Sequence, residues 1–256
     1  MKRAGGVLVA LLIVIGVIAS GARSYVIVKR SEATLRALQQ GLMGMMSDDE
    51  GQLAAWTRQM SVMEQRFTTH DVVLLLHTAA GGVFLLLAPL QFSARMRRHR
   101  ALHRWLGRAL LLIAIPSALA GLFFGLVIPV GGIGEMTSTG FFGALFVFAM
   151  LRAFIAIRAH DVATHREWMI RAFAVGLGIS TIRIIGSVIQ TFAPMPVQDA
   201  IAPMFWLGWG ITSLVAEWWI RATRRSLSTH VAQLHAEVED LRRGWGEHDR
   251  VDVAVR

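Results

Sequence analysis

A chain of 256 residues with 54% hydrophobic content is too apolar for an ordinary soluble domain, and it is long enough for several crossings of a lipid bilayer. Lys and Arg outnumber Asp and Glu, 26 to 17, but they form short blocks between apolar runs, which argues for a membrane protein and against nucleic-acid binding. The absence of cysteine excludes disulfides, iron–sulfur clusters and thiolate catalysis.

The first element is an apolar run from Ala4 to Ala22 that follows the basic start Met1–Arg3. About 20 apolar residues suffice to cross the hydrocarbon core, so the run predicts a first transmembrane span, residues 1–28. The small residues Ala19 to Ala22 would also suit the cleavage site of a signal peptide. Apolar character resumes at Tyr25 to Val28, and this favours the span.

Residues 29–70 form a polar insert in which leucine and methionine recur at helical spacing. The sequence Ser47-Asp48-Asp49-Glu50 is a capping box, which marks the start of a second helix within the insert. The pattern predicts a helical hairpin on the periplasmic side. Its methionines could bind copper, although a methionine stripe at this spacing usually packs against other apolar side chains.

Residues 71–225 are predicted to form a membrane core of five further spans, beginning near Val72, Leu106, Thr139, Met169 and Met204. Basic loops alternate with loops that lack Lys and Arg. The basic blocks are Met1–Arg3, Arg95–Arg108, Arg158–Arg166 and Arg221–Arg225, whereas Gly131–Ser138 and Pro194–Pro203 lack both residue types. The positive-inside rule then predicts an all-α polytopic transmembrane helical bundle of about six spans in the bacterial cytoplasmic (inner) membrane, with both termini cytoplasmic and anionic lipids at the basic loops.

The tail, residues 226–256, has the soluble character of a cytoplasmic segment. Apolar residues alternate four and three apart at Leu227, Val231, Leu234, Val238 and Leu241. This spacing predicts an amphipathic helix that either lies on the membrane surface or pairs with a second copy in a homodimer.

Two histidines open spans on the side predicted to be cytoplasmic, His103 in Leu102–Arg108 and His165 in Thr164–Arg171. Two imidazoles at one depth on two helices of a bundle could be the axial ligands of a b-type haem, with Arg104 and Arg171 holding its propionates. This predicts a redox protein that exchanges electrons with quinone. Histidine beside tryptophan and arginine is also typical of a membrane-interface anchor.

A second candidate site lies in the other leaflet. Arg183 lies about 21 Å along its helix from Met169, and His77 lies about 10 Å below the outer face. With Gln190, they could line a pocket for a small anion or a lipid headgroup in a binding or transport module. Alternatively, Arg183 extends toward the headgroups and His77 bonds to a carbonyl of a neighbouring helix. A third hypothesis is an accessory subunit of a larger membrane complex.

Five motifs, in this order, resemble the bacterial membrane family catalogued as domain of unknown function 2306. They are Leu74-Leu75-Leu76-His77, Pro89-Leu90-Gln91-Phe92, Leu102–Arg108, Asp161–Arg171 and Ala216–Arg221. The resemblance covers residues 71 to about 225 and implies a multi-span helical fold without an established activity. The motifs around His103 and His165 are also faintly similar to those of small diheme transmembrane cytochromes b. The span from Thr139 to Ile157 departs from that pattern, because it has no internal histidine for a second haem.

Overall fold

The computed structural model describes residues 2–29 and 65–224, and all regular secondary structure in these two ranges is helical. The helices are α1 (Lys2–Lys29), α2 (Asp71–Gln91), α3 (Ala94–Arg98), α4 (Arg100–Val127), α5 (Gly132–Arg158), α6 (Val162–Phe192) and α7 (Val197–Arg224), with a 3-10 turn at Thr68–His70. Most of the predicted hairpin and the whole predicted tail helix lie outside the described residues.

Every one of these helices except the short α3 is long and apolar enough to cross a bilayer, which gives six spans in the described ranges. Large apolar side chains cover their outward faces; Leu112, for example, is 74% exposed. Such a surface is stable only against lipid hydrocarbon. The predicted polytopic α-helical bundle is therefore confirmed. We call the side that carries the basic helix α3 the inner side, in keeping with the predicted orientation.

The helices begin earlier than the predicted spans. For example, α4 begins at Arg100 and not near Leu106, and α6 begins at Val162 and not near Met169. Hydropathy locates only the part of a helix in hydrocarbon, whereas the helix itself starts at a capping residue in the interface. Asp161 caps α6 by accepting the Thr164 backbone N–H at 2.9 Å. Hydrogen bonds from the Thr164 side chain and amide lower the pKa of this carboxyl.

Four helices form the core of the bundle. Helix α2 packs on α4 and α6, and α5 packs on the same two helices, so that α4 and α6 are diagonal to each other. The buried side chains at the centre include Phe84, Leu110, Phe142 and Met150. A diagonal pair can direct side chains toward the same interior space without its backbones touching.

Helix α1 packs outside this core, on α2 and α6. The Ser24 hydroxyl lies 3.1 Å from the Thr78 hydroxyl of α2, and the Ser180 hydroxyl of α6 donates to the Leu12 carbonyl at 2.6 Å. A Cβ on Gly82 would lie only 2.9 Å from the Ser20 Cβ. Small residues and interhelical hydroxyl bonds are the usual means of association between membrane helices.

The chain divides into two units, one ending at Leu214 and the other beginning at Val215. In the first unit, the Trp209 ring of α7 lies 5.3 Å from the Phe142 ring of α5. In the second, the exposed Trp218 and Trp219 have ring centroids 6.5 Å apart. Exposed tryptophans near the end of a span are typical of the membrane–water interface.

The close packing of α7 on α6 can be tested at Gly208. A Cβ at this position would lie 2.9 Å from the Ile182 backbone N and 3.0 Å from its Cα. Because backbone atoms cannot move aside cheaply, Gly208→Ala is expected to cost about 1–3 kcal/mol and to lower the melting temperature of the purified protein in detergent.

The matched control for this variant is Gly210→Ala on the same helix, because a Cβ there would meet nothing within 4 Å. Alanine has the better helix propensity, so Gly210→Ala should leave the melting temperature unchanged or slightly higher. Equal melting temperatures for both variants would contradict the close approach of α6 and α7.

Candidate functional site

The inner ends of α2, α4 and α6 bring three polar side chains together, namely Gln91, His103 and His165, which we call the inner-edge cluster. Gln91 is the last residue of α2, and each histidine is the fourth residue of its helix. The sequence placed both histidines at the starts of spans, and the structure places them one turn inside helices. They occupy equivalent depths on the diagonal pair of the core.

Gln91 is a buried polar side chain with an unfilled hydrogen-bonding group. It is 8% exposed, and within the part of the chain that the structure describes its Nε2 has no hydrogen-bond partner. A Cβ on Gly107 would lie 4.0 Å from Gln91 Oε1, so the carboxamide lies against α4 one turn from His103. An unpaired buried amide costs about 1–3 kcal/mol. The cluster therefore provides a donor for an acceptor atom of a ligand or water.

The two histidines present different hydrogen-bonding states. His165 Nδ1 lies 2.9 Å from the Ala153 carbonyl oxygen of α5. Since a carbonyl only accepts, Nδ1 carries the proton, and the Nε2 lone pair can bind a proton or a metal ion. His103 Nδ1 is buried without a partner in residues 2–29 and 65–224, and its electrostatic neighbours are His165 and Arg97.

The arginines near the cluster differ in their availability to a ligand. Arg171 lies 3.9 Å from a Glu167 carboxylate oxygen, and its guanidinium carbon is 4.6 Å from the centre of the Trp168 ring. These partners on its own helix hold Arg171. Arg104 is exposed on α4. Arg97 of α3, which the sequence analysis did not single out, is the arginine that interacts electrostatically with His103.

The second predicted site has a different arrangement from the expected pocket. His77 Nδ1 donates to the Ser117 carbonyl at 2.8 Å, and the Ser117 hydroxyl donates to the His77 carbonyl at 2.9 Å. A Cβ on Gly121 would lie 2.6 Å from His77 Cε1, so only glycine leaves room for the ring. The structure therefore agrees with the alternative interpretation of His77, in which the imidazole bonds to a carbonyl of a neighbouring helix.

The other two residues of that predicted pocket lie on α6. Gln190 Nε2 donates to the Met195 carbonyl at 3.1 Å and connects the end of α6 to the following loop. Arg183 is exposed, and its electrostatic neighbour is Arg23 of α1. Arg23 was not predicted to belong to a site, because nothing in the pattern of α1 indicates which helix it faces.

Glu135 is a buried carboxylate for which the sequence predicted no role. Glu135, in the first turn of α5, is 7% exposed and accepts the backbone N–H groups of Val130 and Gly131, both at 2.6 Å. Gly132 has a φ of +62° in the same loop, a conformation that glycine adopts without strain. The sequence pattern that could have indicated this role is the glycine-rich stretch Gly131 to Gly134, which directly precedes the acidic residue. The contacts make Glu135 a structural residue of the outer loop.

Within the described ranges, no group of three or more His, Asp or Glu side chains is arranged to hold a metal ion. A metal at the inner-edge cluster would therefore need further donors from its own ligand, as a porphyrin provides. All methionines of the insert, which were considered for copper binding, lie outside the described residues.

Comparison with known families supports the membrane architecture. A family model described as "Predicted membrane protein (DUF2306)" matches residues 74–220, more than half of the chain. No curated protein and no solved structure matches. The comparisons therefore lend no support to the faint similarity to diheme cytochromes.

The role of His77 can be tested by removing its donor. His77→Phe keeps a ring of similar size against Gly121 but loses the bond to the Ser117 carbonyl, so we expect a loss of about 1–2 kcal/mol in the stability of the purified protein. Thermal unfolding in detergent measures this loss. A stability equal to that of the wild type would show that the bond between α2 and α4 contributes little.

Proposed function

The chain belongs to the DUF2306 family of predicted membrane proteins, and we propose that this multi-pass membrane protein binds a b-type haem at the inner-edge cluster and exchanges electrons with quinone. His103 and His165 would ligate the iron. The observation that supports the proposal is the position of both imidazoles as the fourth residue of their helices, on the diagonal pair of a four-helix core.

The hydrogen bonding of His165 suits an axial ligand. Proteins orient a metal-ligating imidazole by a bond from its other ring nitrogen to a carbonyl or carboxylate, and His165 Nδ1 has such a bond to Ala153. His103 fits less completely, since its buried Nδ1 has no partner in the described ranges. Its ring is therefore oriented by packing, and it carries no bond that would prevent ligation.

The surroundings of the cluster supply positive charge and a polar donor. Arg104 is exposed and could bind a haem propionate, whereas Arg97 donates to the Phe92 carbonyl and Arg171 is held by Glu167 and Trp168. The unpartnered Gln91 amide could donate to a propionate or to a quinone carbonyl. A bound haem would supply one-electron chemistry, and the position at the bilayer edge gives access to a lipid-soluble carrier.

The proposal predicts a coloured protein. Full-length chain purified from haem-sufficient cells should show a Soret band and the pyridine haemochrome spectrum of a b-type haem. His103→Ala and His165→Ala should each lose most of the band, because one imidazole holds the iron far less firmly than two. A colourless wild-type protein would refute haem binding.

The control is His99→Ala, which removes an exposed imidazole one turn before His103. This variant should keep the full band, because His99 is not part of the inner-edge cluster. A loss equal to that of His103→Ala would indicate that disruption of the basic turn, and not ligation, removes the haem. Reduction of the bound haem by a quinol then tests the electron-transfer part separately.

A further inference from the structure

Arg183 is a charged side chain in the outer part of α6, where the surrounding surface is apolar. Its guanidinium is exposed, and in residues 2–29 and 65–224 it has neither a hydrogen bond nor an ion pair. The next residue of α6, Ile184, is 42% exposed. A charge at this depth is costly unless it meets a partner or reaches the headgroup region. Arg183 is therefore positioned to contact an anion that is not a side chain of the described ranges.

Arg23 approaches the same place from α1. The first and fifth spans, α1 and α6, run in the same direction, and a Cβ on Gly16 would lie 2.6 Å from the Ser180 hydroxyl. Arg23 lies two turns beyond Gly16 on the same face, and Arg183 lies one turn beyond Ser180. Both guanidinium groups therefore extend from facing sides of the two helices, and Arg23 is the electrostatic neighbour of Arg183.

The depth of the pair is fixed by the contact between α1 and α2. The Ser24 hydroxyl lies 3.1 Å from the Thr78 hydroxyl, and Thr78 lies about 10 Å along α2 from its outer start at Asp71. Arginine side chains from this level can reach the outer headgroups.

We propose that Arg23 and Arg183 bind the phosphate group of an anionic phospholipid in the outer leaflet. Two planar guanidinium groups suit a phosphate, because each can donate two parallel hydrogen bonds to its oxygens. The exposed Ile184 next to Arg183, on a helix surface that faces lipid, favours a ligand with acyl chains over free phosphate. The site is independent of haem binding, since it lies at the opposite side of the bundle.

Native mass spectrometry of the full-length chain in mild detergent tests the proposal. Phosphatidylglycerol should be retained in preference to phosphatidylcholine, whose choline cation is repelled by two arginines. Arg183→Gln should weaken retention of phosphatidylglycerol about tenfold, which corresponds to the loss of a charge-assisted hydrogen-bonding group. Arg23→Gln should weaken it similarly, and it provides an independent result if the Arg183 variant fails to fold.

Arg66→Gln is the matched control, because it removes a guanidinium on the same side that contacts the Pro129 carbonyl. It should retain phosphatidylglycerol as the wild type does. Retention by folded Arg183→Gln and Arg23→Gln equal to that of the wild type would overturn the proposal. Displacement of the lipid by millimolar inorganic phosphate would overturn the lipid assignment and identify a soluble anion as the ligand of the same pair.

Discussion

The absence of water from the hydrocarbon core is the constraint on which this structure depends, because each polar group must find its partner within the protein. Many hydroxyl side chains in the spans donate a hydrogen bond to a backbone carbonyl of their own helix. Thr78 donates to Leu74 at 2.9 Å, and Ser138 donates to Gly134 at the same distance. The two interhelical imidazole bonds, from His77 and His165, follow the same rule. Within the described ranges, the Gln91 and His103 nitrogens of the inner-edge cluster depart from this rule, as do the buried hydroxyls of Thr139, Thr181 and Ser213.

Close helix packing then determines which polar groups can meet. Lipid competes with apolar side chains for contact, so membrane helices associate where small residues allow their backbones to approach. Gly121 admits the His77 ring between α2 and α4, and Gly178 admits the Trp209 ring between α6 and α7. Once these contacts fix the core, α4 and α6 become its diagonal pair. The placement of the inner-edge histidines on this diagonal pair is a consequence of that arrangement.

The sequence was sufficient for the architecture, because hydropathy and charge alternation depend on the bilayer and not on packing. It also placed both inner-edge histidines near the starts of their helices. The partners of individual side chains could not be predicted. His77 could have faced a pocket or a carbonyl, and carbonyls are present at every turn of every helix. Arg23 was overlooked because its significance depends on the rotation of α1 against α6. Glu135 was overlooked because its partners are backbone amides, which almost every residue type carries and which the sequence therefore does not distinguish.

Helix α6 contributes to both proposed sites, since it carries His165 near its inner start and Arg183 in its outer part. The two positions are about 27 Å apart along the helix, and two unit charges at that distance interact by only about 0.6 kcal/mol at an effective dielectric constant of about 20. Direct electrostatic influence of one site on the other is therefore small. Any coupling would have to pass through the packing of α6 on its neighbours, where the glycines leave little space for adjustment. A rigid α6 would hold the two sites at fixed depths in opposite leaflets and leave their ligand affinities independent.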